Sequence, residues 1–328
     1  MIFIAGILRK RGDPMSTSSL RVLYQKELAD HLRSKRFIII LILVAITGLS
    51  SIYAAASGIR SAVSEQGNTF VFLKLFTTGG SSLPSFVSFM SFLGPLVGLS
   101  LGFDAINGEI NRGSLSRLLA QPIPRDTVVN GKFLAGLTII ALMVISLGVA
   151  LGALGIIMLG VIPTLEEILR LSVFFLLTIL YMSLWLALSQ LSSLVFRQTA
   201  TSALACIAIW LFFSVFVGLL AGIIADALYP VNSSSTIDLA LKKSNAELML
   251  NRVSPSTLYS ECTVSLLNPG VRTLGLITQE QLIGTIPGVL PFSQSLLLIW
   301  PHLVSLIALN MICFAISYIY FMRQEIRA

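Results

Sequence analysis

The stretch FIIILILVAITGLSSIYAAASGI, residues 37–59, is almost entirely apolar and contains no charged side chain. A helix of about 20 such residues is long enough to cross the ~30 Å hydrocarbon core of a bilayer. Five more uncharged runs lie at 75–103, 133–165, 171–196, 198–225 and 281–322. We expect the second helix to begin near Ser85 and the last to occupy 295–321, beyond two prolines. The sequence therefore predicts six membrane-spanning helices.

The composition of the whole chain supports the same class. Of its 328 residues, 55% are hydrophobic and only 11% are charged, and the mean hydropathy is +0.89. Because a soluble domain is about 25% charged, this composition excludes a soluble enzyme, a disordered chain and a small disulfide scaffold. The apolar runs are continuous rather than alternating, which favours helices over a β-barrel. We predict an all-α integral membrane protein.

The basic residues predict the orientation in the cell membrane. With six spans both termini lie on one side, and most of the 22 Lys and Arg residues precede the first span, lie between spans two and three, or follow the last. Such an excess marks the cytoplasmic side. Both termini of this multi-pass protein are therefore expected in the cytoplasm. The net charge of +7 is explained by this topology and by anionic lipid, so we expect no nucleic-acid partner.

Residues 19–36, which follow an N-terminal flank at 1–18, predict an amphipathic helix on the cytoplasmic membrane surface. Their apolar side chains recur at intervals of three and four, as on one face of a helix. This stripe consists of Leu20, Leu23, Tyr24, Leu28 and Leu32. The alternative is a basic flank of the first span without regular structure.

The loop at 107–132, NGEINRGSLSRLLAQPIPRDTVVNGK, contains a short predicted helix of its own. Gly113 and Ser114 open it, and Pro122 ends it. Leu115, Leu118 and Leu119 form one apolar face, which is costly to expose unless it docks on another surface. We interpret this helix as a docking element for a cytoplasmic partner. The alternative is packing against the membrane or neighbouring loops.

The remaining boundaries follow from the spans. Spans one to five occupy 37–225, an extracytoplasmic segment occupies 226–294 with a helix near 237–251, span six occupies 295–321, and a cytoplasmic tail occupies 322–328. The extracytoplasmic segment could cap an exit path or be purely structural. Within the spans, small residues repeat every four positions and predict close helix packing. They are Gly94, Gly98, Gly102, Gly148 and Gly152.

Residues for catalysis or metal binding are scarce, and we predict neither kind of site. The chain has two histidines, His31 and His302, and three cysteines at separate positions. No G-x-x-x-x-G-K-[ST] phosphate-binding loop occurs. His302 follows Trp300-Pro301 and is expected to be a packing residue. Few ionisable residues lie within the spans, which argues against an ion-coupled carrier.

The loop sequence resembles a known family. Permease subunits of ABC-2 type ABC transporters carry, after the second span, an acidic residue, Gly-[Ser/Thr]-Leu, Leu-Leu, Pro-[Ile/Val]-x-Arg and Gly-Lys. This chain matches with Glu109, Gly113-Ser114-Leu115, Leu118-Leu119, Pro122-Ile123-Pro124-Arg125 and Gly131-Lys132. The tail FMRQEIRA is similar to that of the branch containing nitrous-oxide-reductase maturation permeases. The resemblance extends from about residue 19 to the C-terminus.

The resemblance implies an ABC-2 exporter-like fold and a function in ATP-driven export. A separate ATPase subunit, which would bind ATP and Mg²⁺, is expected to dock on residues 113–120, since this chain itself carries no cofactor. Leu115, Leu118 and Leu119 would fill a groove on that subunit, while Glu109, Arg112 and Arg117 would orient it. A second permease copy, identical or paralogous, and membrane lipid would be the other partners.

Two other classes remain as alternatives. A secondary carrier or channel without an ATPase partner would show inverted repeats and buried charge, and neither is visible in the sequence. An intramembrane enzyme would need paired polar groups at membrane depth. Ser189, Gln190, Ser192 and Ser193 are the available cluster.

Overall fold

The structure is a computed structural model that describes residues 14–62, 70–79, 83–121, 123–231, 237–271, 274 and 289–324. Within these ranges the chain forms helices and no strands. Residues 1–13 of the predicted flank at 1–18, Pro122 and the last four residues of the predicted tail lie outside the described residues, as does the side chain of Leu119. Residues 14–18 of that flank belong to the first helix.

Thirteen α-helices make up the described chain. They are α1 (Pro14–Arg33), α2 (Lys35–Ala62), α3 (Val71–Thr77), α4 (Phe86–Gly102), α5 (Asn107–Asn111), α6 (Ser114–Leu119), α7 (Arg125–Leu159), α8 (Leu165–Val195), α9 (Thr199–Leu211), α10 (Val217–Leu228), α11 (Ile237–Asn251), α12 (Pro255–Leu267) and α13 (Phe292–Arg323). A π-helical turn, Phe212–Phe216, joins α9 to α10 into one long helix.

In the described part of the chain, six helices are long and apolar enough to cross a membrane. They are Lys35–Ile59, Phe86–Asn111, Arg125–Leu159, Leu165–Val195, Thr199–Leu228 and Phe292–Arg323. The prediction of an all-α membrane protein with six spans is therefore confirmed.

The third span differs from its predicted limits of 133–165. The helix begins at Arg125 and so takes up the second half of the predicted loop. It ends at Gly160, which has a φ of 68°, because glycine adopts this left-handed conformation at little cost. The chain therefore leaves the helix before Pro163.

The core is centred on α8, which packs against α4, α7, α12 and α13. Gly94, Gly98 and Gly102 of α4 face α8. A side chain at Gly98 would place its Cβ 2.5 Å from the Met182 carbonyl oxygen. Gly148 of α7 lies directly against the Phe175 ring, whereas Gly152 has only a Phe72 ring atom, at 3.9 Å. Four of the five glycines thus lie at close helix contacts.

The segment predicted as extracytoplasmic contains a helical hairpin that packs among the spans. Helix α11 runs back along α10, since Glu247 lies near Gly222 and Asn251 near Gly218. At the tip, the Ser254 hydroxyl donates to the Phe213 carbonyl at 2.6 Å. Helix α12 then returns along α8 and α13, with Tyr259, Cys262 and Leu266 fully buried. The hairpin reaches the middle of the fifth span because α12 is apolar enough to enter the core.

Candidate docking site

The loop after the second span is fixed to the end of α8. The backbone amides of Ile106 and Asn107 donate to Ser193 Oγ at 2.9 and 3.1 Å. The side chain of Asn107 donates to the Phe196 carbonyl, and that of Asn111 donates to the Arg197 carbonyl, both at 3.1 Å. The loop therefore moves with the connection between spans four and five.

The polar cluster considered for an intramembrane enzyme is engaged in backbone contacts. Ser189 Oγ donates to the Gly98 and Leu186 carbonyls, Ser192 Oγ to the Leu188 carbonyl, and Gln190 Nε2 to the Val129 carbonyl. Together with Ser193, these side chains join helices α4, α7 and α8. Their arrangement supports helix packing and gives no support to a catalytic role.

The apolar face of α6 points into the protein. Leu115 is 1% exposed, and Leu118 is half-buried against the same group of side chains. That group, which we call the inner cluster, comprises Leu23, Ile106, Leu115, Val128, Val129, Leu194 and Phe321. In this structure the chain itself covers Leu115, and its predicted place in a groove on a partner stays a prediction. An amphipathic pattern identifies a buried face but does not say which surface buries it.

Glu109 also turns inward, where it contributes to a buried ionic network. Lys132 Nζ lies 2.9 Å from Glu109 Oε1 and 3.0 Å from Glu27 Oε2, and its side chain is only 4% exposed. Lys26 adds a contact of 3.1 Å to Glu27 Oε1. Glu109 is thus paired within the chain, and its expected role in orienting a partner stays a prediction.

The network fixes the protonation state of Glu27. Burial alone would raise the pKa of this carboxyl, but the charges of Lys132 and Lys26 outweigh burial and hold its pKa below the usual 4.5. Glu27 therefore stays ionised at neutral pH and links α1 to α7. A cavity of about 260 Å³ lies beside the network and is lined by further charged residues, including Asp30, Arg36 and Asp104.

The N-terminal helix α1 packs along α7 rather than on lipid alone. Leu23 is buried beside Gly131, and the Tyr24 hydroxyl donates to Thr138 Oγ1 at 3.0 Å. Leu20 and Leu28 are half-buried, whereas Leu32 is exposed. Most residues of the predicted apolar stripe thus pack against the rest of the protein.

The outward surface of the loop is polar and cationic. Arg112, Gly113, Ser114 and Arg117 are exposed, and Gly113 has a φ of 66° that suits its place in the turn. Arg125 is also exposed and donates to the Gln324 carbonyl at 3.2 Å. We call the four residues Arg112, Gly113, Ser114 and Arg117 the loop surface.

Sequence reasoning missed the ionic network, although a signal for it was present. Glu27 and His31 follow Leu23 at intervals of four and so lie on the apolar stripe. A charged residue on a buried stripe requires a buried partner. Lys132 was visible only as part of the Gly131-Lys132 motif. Among the described residues, no group of three or more His, Cys, Asp or Glu side chains could hold a metal ion.

Six apolar spans and a loop anchored at one end of the bundle define a multi-pass integral membrane protein. Comparison with known proteins identifies its family: a family model described as "ABC-2 family transporter protein" matches residues 21–326. The chain belongs to this family, and the resemblance found in its sequence is confirmed.

Two curated relatives are similar over part of their length. A probable ABC transporter permease protein NosY from Pseudomonas aeruginosa is 31% identical over 198 residues, which is 58% of this chain and 64% of the relative. A protein of the same name from Stutzerimonas stutzeri is 36% identical over 140 residues, 42% of this chain and 46% of that relative. The chain thus matches less than two thirds of either relative's length.

Proposed function

We propose that this chain is the membrane subunit of an ATP-driven exporter, with ATP and Mg²⁺ bound on separate ATPase subunits. Its membership of the ABC-2 family and its similarity to two proteins named as ABC transporter permeases support this function. The exposed arginines of the loop surface, Arg112 and Arg117, support an orientation in which both termini and this surface lie in the cytoplasm.

The observation that carries the proposal is the rigid anchoring of the loop. The inner cluster joins Leu115 of α6 to Leu23 of α1, Val128 of α7, Leu194 of α8 and Phe321 of α13. A force applied to the loop surface is therefore transmitted to the ends of several spans at once. Packed elements of this kind respond by rigid-body movement, which is what coupling to an ATPase requires.

The loop surface is the part of the chain that we assign to ATPase docking. Arg112 and Arg117 present positive charge, so the ATPase surface opposite them would be acidic. Leu118, at the edge of the inner cluster, would contribute apolar contact. Leu115 and Glu109 would act from behind, by holding α6 in position.

A second permease copy is supported by the face formed by α9, α10 and α11. The long helix made of α9, the π-helical turn and α10 exposes many apolar side chains, among them Leu204, Ile207, Leu211, Val215, Leu219 and Ile223. Beside it, α11 exposes Asp238, Lys242 and Asn245. Lys243 pairs with Asp226, which puts this part of α11 at the end of the fifth span, and Asp238 and Lys242 pair with each other there. The exposed apolar side chains of α9 and α10 are therefore the part of this face that we place against a second copy.

Charge reversal at the loop surface tests the proposal. Arg117→Glu is expected to reduce the amount of ATPase subunit that co-purifies with the permease, because it places like charges in contact. Arg21→Glu is the matched control, since Arg21 is an exposed arginine on α1 outside the loop surface. Equal recovery of the ATPase with both variants would contradict the docking assignment. Absence of any ATPase with the unaltered chain would favour a secondary carrier or channel.

A further inference from the structure

Three ionisable side chains meet where the hairpin contacts the last span. Glu261 of α12 has its Oε2 atom 2.6 Å from Nε2 of His302 on α13. Arg252, in the turn that follows α11, donates from Nε to the same oxygen at 3.0 Å. The side chains of Glu261 and His302 are only 15% and 8% exposed. The sequence had suggested a packing role for His302, but its imidazole binds a carboxylate.

The positions of its residues along the candidate spans indicate that this cluster lies at membrane depth. His302 is ten residues beyond the start of α13 at Phe292, which corresponds to about 15 Å along the helix axis. Two residues from Arg252, Ser254 binds the Phe213 carbonyl, near the middle of the fifth span Thr199–Leu228. Ionisable groups at such depth are costly and are commonly associated with function in membrane proteins.

Helix α12 contacts α8 and α13 through different kinds of side chain. Helix α12 is fixed to α8 by the stacked rings of Tyr259 and Tyr181, 4.4 Å apart, and by a 2.9 Å hydrogen bond between the Tyr259 and Thr178 hydroxyls. Toward α13, the Glu261–His302 bond supplies a polar connection. The tip itself contacts the π-helical turn of the fifth span, a feature often found at functional sites.

On its other side α12 borders a cavity of about 360 Å³. Hydroxyl side chains dominate the lining, which includes Thr77, Ser88, Ser91 and Ser260. Helix α12 therefore separates a polar cavity from the last span. A shift of α12 relative to α13 would change the width of this cavity.

A polar connection at this place is better suited to opening than to permanent packing. Apolar side chains of similar volume would hold α12 on α13 without the desolvation cost of buried charge. When the connection opens, however, charged side chains regain hydration, whereas apolar ones would be exposed to water at a cost.

We propose that Glu261 is a positioning residue of the transport cycle: Arg252 orients its carboxylate within the hairpin, its bond to His302 holds the hairpin against the last span, and the Glu261–His302 bond breaks when the path opens on that side. The inference rests on the proposed function, because it places the bond in a nucleotide-driven cycle.

Hydrogen–deuterium exchange on the complete permease–ATPase complex tests this. In the unaltered protein, trapping with ATP and vanadate is expected to accelerate amide exchange in α12 by about tenfold relative to the nucleotide-free complex. Glu261→Gln is expected to show the faster exchange without nucleotide. Glu247→Gln is the control, since Glu247 is a carboxylate on the same hairpin outside the cluster.

A pair of substitutions at His302 separates positioning from simple packing. His302→Gln retains a donor for Glu261 and is expected to keep the nucleotide dependence, whereas His302→Leu removes the donor and is expected to lose it. Equal behaviour of these two variants, or no nucleotide-dependent change in α12 of the unaltered protein, would overturn the inference. If the complex forms and hydrolyses ATP while α12 stays unchanged, the inference fails and the proposed function stands.

Discussion

Replacing Lys132 by methionine should weaken the attachment of α1 to the membrane domain. The substitution conserves length but removes the buried ammonium that lies 3.0 Å from Glu27 and 2.9 Å from Glu109. Removal of one partner from a buried ion pair costs about 3–5 kcal/mol. Because Lys26 remains beside both carboxylates, we place Lys132→Met near the lower limit, at about 3 kcal/mol.

Lys26→Met is the matched comparison, since it removes the same charge from the same network at a site that is 52% exposed. Exposed ion pairs contribute at most about 1 kcal/mol. The assay is unfolding of the purified permease in mixed micelles of increasing denaturing-detergent fraction, followed by tryptophan fluorescence. Equal losses for Lys132→Met and Lys26→Met would refute the conclusion that the network is a buried structural connection.

Further predictions concern the loop, the glycines and pH. Leu118→Asp should release the ATPase while the membrane domain stays folded. Leu115→Asp should instead lower the free energy of unfolding by about 3 kcal/mol or more, because it buries a charge. Normal co-purification of the ATPase with Leu118→Asp would contradict the predicted role of Leu118 in docking. Gly98→Ala should cost about 1–3 kcal/mol by overpacking against α8, and Gly152→Ala should be neutral or stabilising by up to about 1 kcal/mol; the same unfolding assay compares them, and equal effects would be inconsistent with the packing described. Folding lowers the pKa of Glu27, so the contribution of Glu27 to the free energy of unfolding should be complete above pH 4.5 and should decline as the pH falls toward the lowered pKa. When the free energy of unfolding is measured against pH, a Glu27→Gln variant should lack this decline. The same acid dependence in the variant and the unaltered protein would contradict the prediction.

The spans were predictable because lipid imposes a simple requirement on the sequence. Only long runs without charge can form membrane spans. Each of the six uncharged runs in the sequence contains one of the six long apolar helices of the structure. The loop helix was also visible from its glycine and leucine spacing. The side to which Leu115 turns was not visible, because the surface that covers it comes from residues far apart in the chain, such as Leu23 and Phe321.

The hairpin was harder to predict for a related reason. Helix α11, IDLALKKSNAELMLN, is too polar to suggest membrane depth. Its position depends on contacts with α10 and on the Ser254–Phe213 hydrogen bond at its tip. Likewise, Glu261 and His302 lie 41 residues apart, so nothing near either residue in the sequence indicates the other.

Site-specific photo-crosslinking tests most directly whether the loop surface contacts an ATPase subunit. A photoreactive amino acid in place of Arg117 should capture the ATPase in cells that produce both proteins. One in place of Lys242, an exposed position on α11 of the hairpin, should not. Capture from Lys242 but not from Arg117, or from neither position in a complex that hydrolyses ATP, would contradict the docking assignment.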